Sequence, residues 1–345
     1  MNILIVKLSA IGDVIHTLPS LAALRVHYPH AHITWVIEEA ASELIMDHPD
    51  LDRVITSHRK SWIKDLKEGR IRKPVHEIVS FLNQLRERPY GLVIDFHGLF
   101  KSAMIVLLSG GKRKLGYDSL QELTGLFYNE KIPEDMNKHA VDRYLDFAHH
   151  LGAQQATPEF VIPIREENES RVRALLQESR IGPNDPFVAV SSQALWETKL
   201  WSDQKFAQLS ERIIQELNLP VVFTGGDGKS TEDIQSFMTL PSCDLSGRTT
   251  LRDLACLYRQ AAILITTDSG PMHLAAAVGT PVVALFGPTD PARTGPYGEG
   301  HTVIRRDLPC SPCFLKTCET RHCMREITVE DVFQSVRKKL EGMFS

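Results

Sequence analysis

Residues 261 to 278 read Ala-Ala-Ile-Leu-Ile-Thr-Thr-Asp-Ser-Gly-Pro-Met-His-Leu-Ala-Ala-Ala-Val. An apolar run ending at Ile265 and a small-residue run beginning at Leu274 bracket a polar turn, so a buried strand passes here into a helix. Backbone N–H groups in the first turn of a helix have no partner within it and lie at the positive end of its dipole. Ser269 and Gly270 are therefore placed to hold a phosphate without a cationic side chain. Pro271 fits the first turn, where its missing N–H costs nothing. The same residues also suit an ordinary strand-to-helix turn capped by Asp268 or Ser269.

The alternation extends in both directions. Apolar runs predict strands at 2–8, 32–37, 53–57, 92–96 and 113–117. Helical spacing recurs after Asp13 and at 77–88, 99–108 and 137–151. Periodicity fails between Gln154 and Pro163, which marks a boundary. A second series follows, with strands expected at 187–191, 220–224, 263–267 and 281–286 and helices at 203–217, 231–238 and 251–260. Each half is thus expected to be a doubly wound, mostly parallel α/β sheet, with a first domain at 1–163 and a second at 164–327. The amphipathic segment 328–345 could pack back on either half, the first domain included. Ligands of such sheets collect beyond the carboxyl ends of the strands, and two sheets of this kind facing one another would form a cleft.

The chain has 345 residues, 43% hydrophobic and 24% charged, with a formal net charge of -4. This length suits two domains, and the composition is that of a folded protein rather than a disordered or general nucleic-acid-binding one. No apolar run approaches the ~20 residues that span a bilayer, and the N-terminus reads as a strand rather than a signal peptide, so a cytoplasmic protein is expected. Cys310, Cys313, Cys318 and Cys323 crowd into one segment. Their C-x2-C-x4-C-x4-C spacing could supply thiolates to zinc or an iron–sulfur cluster, but it lacks the paired C-x-x-C units of a ribbon site, which favours a compact thiol-rich loop.

Three further loops carry polar chemistry. Lys7-Leu-Ser-Ala-Ile-Gly-Asp13 joins a glycine, Gly12, to a carboxylate at a helix start, where Asp13 can act as a general base or as a plain cap. It is not the G-x-G-x-x-G fingerprint, so nicotinamide or flavin has weak support. Lys199 stands between Trp196 and Trp201, able to meet a phosphate as a point charge or to cover aromatic surface with its stem. Thr224-Gly-Gly-Asp-Gly228 allows close passage of a ligand. Basic charge gathers at Arg59, Lys60, Lys64, Lys67, Arg70, Arg72 and Lys73, with Asp65 and Glu68 to offset it and Trp62 and Ile63 interleaved, as would suit a phosphorylated lipid at a membrane surface.

Together, Lys-Leu-Ser-Ala-Ile-Gly-Asp-Val-Ile-His-Thr-Leu-Pro at 7–19, Thr-Lys-Leu-Trp around Lys199, Asp-Ser-Gly-Pro-Met-His at 268–273 and Phe-Gly-Pro-Thr-Asp-Pro at 286–291 resemble the ADP-heptose transferases of lipopolysaccharide core assembly. His16 to Pro19 and Leu126 to Asn129 are similar to the heptosyltransferase I branch. The resemblance implies a GT-B fold and inverting transfer from ADP-heptose to Kdo2-lipid A, without cofactor or metal. It also implies peripheral contact with the cytoplasmic face of the inner membrane and no nucleic-acid partner. By position, Asp13 would be the base and Lys199 would act on the donor diphosphate, with Asp268 on the heptose and Ser269, Gly270 and His273 on the diphosphate. Ser191, Ser192 and Gly226 join the donor side, and the ribose acid is either Asp227 or Glu232. The acceptor candidates are Ser9, Gly12, Arg59, Lys60, Lys64 and His97. Heptosyltransferase II, or another transferase of the family, is the alternative; a non-catalytic nucleotide- or metal-binding protein is the alternative of a different class.

Overall fold

The computed structural model describes residues 1–119, 121–153, 157–226 and 229–344. The chain divides into two compact units, Met1–Pro163 and Ile164–Ser345. The first contains β1 (Asn2–Val6), β2 (His32–Glu38), β3 (Arg53–Ser57), β4 (Leu92–Asp95), β5 (Arg113–Tyr117) and β6 (Glu130–Ile132). The second contains β7 (Val188–Ser191), β8 (Val221–Thr224), β9 (Cys243–Asp244), β10 (Ile263–Thr267), β11 (Val282–Phe286) and β12 (Thr302–Arg305).

The strand orders are β3-β2-β1-β4-β5-β6 and β12-β11-β10-β7-β8-β9. Every pairing within them is parallel. Parallel neighbours need a crossover, and helices supply it on both faces, so central strands are hidden on both sides and are apolar without alternation. Ile263, Leu264 and Ile265 in β10 and Val282 through Phe286 in β11 are fully buried.

The edge strands β6, β9 and β12 escape the sequence reading. Each has a neighbour on one side only, and Glu-Lys-Ile, Cys-Asp and Thr-Val-Ile-Arg carry no continuous apolar run. The last helix, Val329–Phe344, packs into the core of the second unit: Val332, Phe333, Val336 and Leu340 join Val188, Phe206, Ile213, Val283 and Leu285 there.

Phe333 is fully buried there. We expect Phe333→Ala to lower the stability of the second unit by about 3–5 kcal/mol in urea unfolding, the usual cost of emptying an aromatic core position. A loss under about 1 kcal/mol would mean that the helix is not integral to that core.

Candidate active site

In an open parallel sheet the crevice opens where the chain order reverses direction. In the first unit that point lies between β1 and β4. Lys7 follows β1, and its ammonium donates to the Phe96 carbonyl, just past β4, at 2.9 Å, tying the two loops together. Asp13 stands in the first turn of the helix Ile11–His27, where its Oδ2 accepts from the Ala10 N–H at 3.3 Å. Tyr144, on the helix Ala140–His150, donates its hydroxyl to Asp13 Oδ1 at 3.1 Å. The Asp13 side chain remains 43% exposed while that of Lys7 is 3% exposed. Burial pushes the Asp13 carboxyl up, but the Lys7 charge, the Ala10 N–H and the Tyr144 hydroxyl outweigh it and hold Asp13 below the usual carboxylate range.

Beside this carboxylate lies a cluster of cations. Glu38, at the end of β2 and with its side chain only 4% exposed, pairs with Arg59 at 3.1 Å, Lys101 at 3.3 Å and Lys60 at 3.9 Å. Lys101 also donates to Ser9 Oγ at 3.2 Å, which brings Ser9, Arg59 and Lys60 into one group. His97, half-buried after β4, is pushed down to about 3, first by burial and then by the Lys7 and Lys101 charges. Gly12 is buried in the first helical turn. Lys64 is exposed one turn beyond Lys60 on the helix Arg59–Lys67.

The basic stretch is more fully paired than its sequence suggested. Arg70 meets Asp65 and Glu68, and Lys73 meets Asp65 and Glu77. With Glu38 on Arg59 and Lys60, two carboxylates beyond Asp65 and Glu68 offset it.

In the second unit the reversal lies between β7 and β10. Lys199 and Asp268, 69 residues apart by their numbering, meet there at 2.6 Å, and Thr289 donates to the same Asp268 Oδ2 at 2.6 Å. The Lys199 ammonium lies 4.6 Å from the centre of the Trp196 ring. The resemblance gave Lys199 and Asp268 separate parts of a ligand; in this structure they hold each other. Leu195, next to Trp196, is 97% exposed.

Ser269 precedes the helix Gly270–Ala277 in extended conformation, and its side chain does not cap that helix. Its hydroxyl instead faces Thr266 Oγ1 and the Thr267 carbonyl, each at 3.3 Å. His273 is buried in the same helix. Ser191 and Ser192 are buried at the end of β7, with Ser192 Oγ 3.2 Å from Ser230 Oγ. Gln193 accepts from the Gly226 N–H at 2.8 Å and, through its carbonyl, from Thr267 Oγ1 at 3.4 Å, linking the loops after β7, β8 and β10. Glu232 is exposed on the helix Lys229–Gln235, and Asp227 lies outside the described residues.

Lys7, Glu38, Lys101, Tyr144, Gln193 and Thr289 are the members of these groups that sequence reasoning missed. For Glu38, Gln193 and Thr289 a signal existed: each is a polar residue at or just beyond the carboxyl end of a strand, and Thr289 lies inside a quoted motif. Tyr144 gave none, because an aromatic residue at helical spacing reads as core. Among the described residues, no three His, Cys, Asp or Glu side chains are grouped so as to hold a metal ion, and all six cysteines are free.

The family model for glycosyltransferase family 9 (heptosyltransferase) matches residues 78–324. The chain belongs to glycosyltransferase family 9. It is 31% identical to the lipopolysaccharide heptosyltransferase 1 of Pseudomonas aeruginosa over 92% of this chain and 87% of that one. To the Escherichia coli K12 enzyme of the same name it is 28% identical, over 88% and 93%. An Escherichia coli heptosyltransferase structure with ADP aligns at 25% identity and TM-score 0.78, covering 98% of this chain and 100% of that one. A family 9 transferase from Veillonella parvula shares the fold at TM-score 0.85 and 24% identity, covering 99% and 97%. The two doubly wound units are those of the GT-B type, and membership makes this family 9 protein a glycosyltransferase, which sets the non-catalytic reading aside.

Two outcomes follow from the charges of this family 9 enzyme. Asp268→Ala leaves the Lys199 ammonium partly buried without its partner and should destabilise the second unit by about 3 kcal/mol, whereas Lys199→Met with Asp268→Ala should cost clearly less than the two singles summed. Strict additivity in chemical denaturation would mean that the pair is not coupled. In NMR titration the His97 ring should stay neutral down to about 3, and Lys101→Met should raise that value. Because an unfolded histidine takes its proton near ~6.5, this ring withdraws stability as pH falls from there towards about 3 and has no such effect above it. A His97 ring titrating near ~6.5 in the folded protein would contradict the description.

Proposed function

We propose that this enzyme transfers L-glycero-D-manno-heptose from ADP-heptose to a Kdo hydroxyl of Kdo2-lipid A, with inversion. The observation that carries the reading is the meeting of Lys199, Asp268 and the start of the helix Gly270–Ala277 at the switch point of the second sheet. A diphosphate bound there gains the ammonium charge and the first-turn amides together, and both oppose the negative charge that grows on a departing ADP. Relatives support the choice of donor: one Escherichia coli heptosyltransferase structure contains ADP and another ADP-2-deoxy-2-fluoro heptose.

In this reading the acceptor oxygen attacks the anomeric carbon opposite the diphosphate. A carbon–oxygen bond forms to the acceptor, the bond to the ADP phosphate oxygen breaks, and the acceptor proton passes to Asp13. Asp13 is ionised at neutral pH and a weak base, which suffices when the proton leaves late, after the ring has gained oxocarbenium character. Asp268, released from Lys199 by the diphosphate, turns to the heptose hydroxyls. Ser269, Gly270 and His273 hold the diphosphate, Ser191, Ser192 and Gly226 line the nucleotide, and Asp227 or Glu232 takes the ribose. Ser9, Gly12, Arg59, Lys60, Lys64 and His97 face the anionic acceptor.

Ile63, Leu66, Ile71, Val75 and Val79 are exposed among the basic residues of 59–86, a composition suited to the surface of an anionic bilayer. No helix among the described residues is long and apolar enough to cross a membrane. We place the enzyme in the cytoplasm, peripheral at the inner membrane.

Mass spectrometry with ADP-heptose should give a heptosylated Kdo2-lipid A. Product only from an already heptosylated core would assign heptosyltransferase II instead. Asp13→Asn should lower kcat by about 10²–10⁴ with ADP affinity kept, while Lys199→Ala should weaken ADP binding about tenfold or more in calorimetry. Unchanged ADP affinity in Lys199→Ala would remove the donor assignment.

A further inference from the structure

Lys7 presents an anomaly that the proposed reaction leaves unused. A lysine almost wholly removed from water needs partners that repay its lost hydration. Its nearest carboxylate, Asp13, stands 4.0 Å away, outside hydrogen-bond reach. Its ammonium instead donates to the Phe96 carbonyl at 2.9 Å and to the Tyr144 hydroxyl at 2.6 Å.

That geometry fixes a proton. An ammonium has donors only, so the Tyr144 oxygen must accept from Lys7, which directs the Tyr144 hydrogen away from Lys7 and onto Asp13 Oδ1 at 3.1 Å. The ring that carries the hydroxyl is itself immobilised. Tyr144 is buried, stands edge-on to Phe96 at 6.0 Å and belongs to a helix packed on the one that bears Asp13. We propose that Lys7 and Tyr144 are positioning residues for Asp13: a buried cation acting through an interposed phenol on Oδ1, with the Ala10 N–H on Oδ2, holds the carboxylate in one rotation and leaves the remaining lone pair of each oxygen for the acceptor.

The interposition matters chemically. A direct Lys7–Asp13 contact would occupy the carboxylate with a charged donor and blunt it as a base. Removed to 4.0 Å, the same charge keeps Asp13 ionised and leaves its side chain 43% open. The other groups bearing on Asp13 are the Ala10 N–H on Oδ2 and the His97 ring; burial, with the Arg143 charge, holds Lys7 below the usual ammonium range against the opposing charges of Asp13, Asp95 and Glu134. Tyr144 keeps its proton, its hydroxyl being pushed well up first by burial and then by the Asp13 charge.

This inference rests on Asp13 being the base, and the test separates the two. In the full-length enzyme Tyr144→Phe removes the hydroxyl and little else. We expect kcat to fall roughly tenfold at pH 7.5 from a carboxylate free to rotate. We also expect the acidic limb of kcat/KM to move to higher pH, because a donor to the charged form is lost, with ADP affinity unchanged. Lys7→Met should move the limb further in the same direction; where that variant fails to fold, Tyr144→Phe decides alone. A loss of rate with an unmoved limb assigns Tyr144 a merely structural role and overturns the proposal, as does an unaltered profile. Asp13→Asn run in parallel tells the failures apart. If it keeps wild-type turnover, the base assignment fails and the positioning role falls with it. If it is inactive while Tyr144→Phe leaves the limb in place, the positioning role alone is lost.

Discussion

Parallel pairing is the constraint on which this molecule turns. Each neighbouring strand must be reached by a crossover, the crossovers cover both faces, and a backbone buried on both faces has no room for charged side chains except where strands end. Polar residues are therefore driven to the carboxyl edge of each sheet, and most of all to the gap where the chain order reverses. Lys7, Glu38 and His97 in one unit, and Ser191, Gln193 and Asp268 in the other, occupy such positions. Chemistry collects there because nothing else in a doubly wound sheet accommodates it.

The two units answer the cost of those charges differently. In the second, Lys199 and Asp268 neutralise one another directly and Thr289 takes part of the remaining capacity of the carboxylate, so a ligand must compete with an existing contact. In the first, Asp13 and Lys7 are held apart by a phenol, and Glu38 gathers three cations without Asp13 taking part. The one arrangement suits a site that opens to an anion; the other keeps a carboxylate charged yet available.

The central strands were legible because burial on both faces writes them as unbroken apolar runs, as in Ala261 to Ile265. The edge strands at 130–132, 243–244 and 302–305 were not, since an edge needs only a short, half-covered segment. The last helix declared its apolar stripe but not its destination, because a stripe states only that a surface must be covered. Among candidate site residues, Asp13, Lys199 and Asp268 stood out as charges beside turn residues at strand ends. Their partners were hidden for a physical reason: Lys199 finds Asp268, and Asp13 finds Tyr144, across separations that only the tertiary fold closes. The basic stretch from Arg59 to Lys73 taught the converse, since Glu38 and Glu77 absorb charge that a local count left free.

The central claim is that the donor diphosphate rests on the first turn of the helix Gly270–Ala277 with Lys199 upon it. Diffraction from crystals soaked in ADP tests it most directly. The account predicts phosphate density within hydrogen-bond reach of the Ser269 and Gly270 amides, with the Lys199 ammonium turned from Asp268 onto the phosphates. ADP bound elsewhere, or bound there with the Lys199–Asp268 contact still closed, would contradict it.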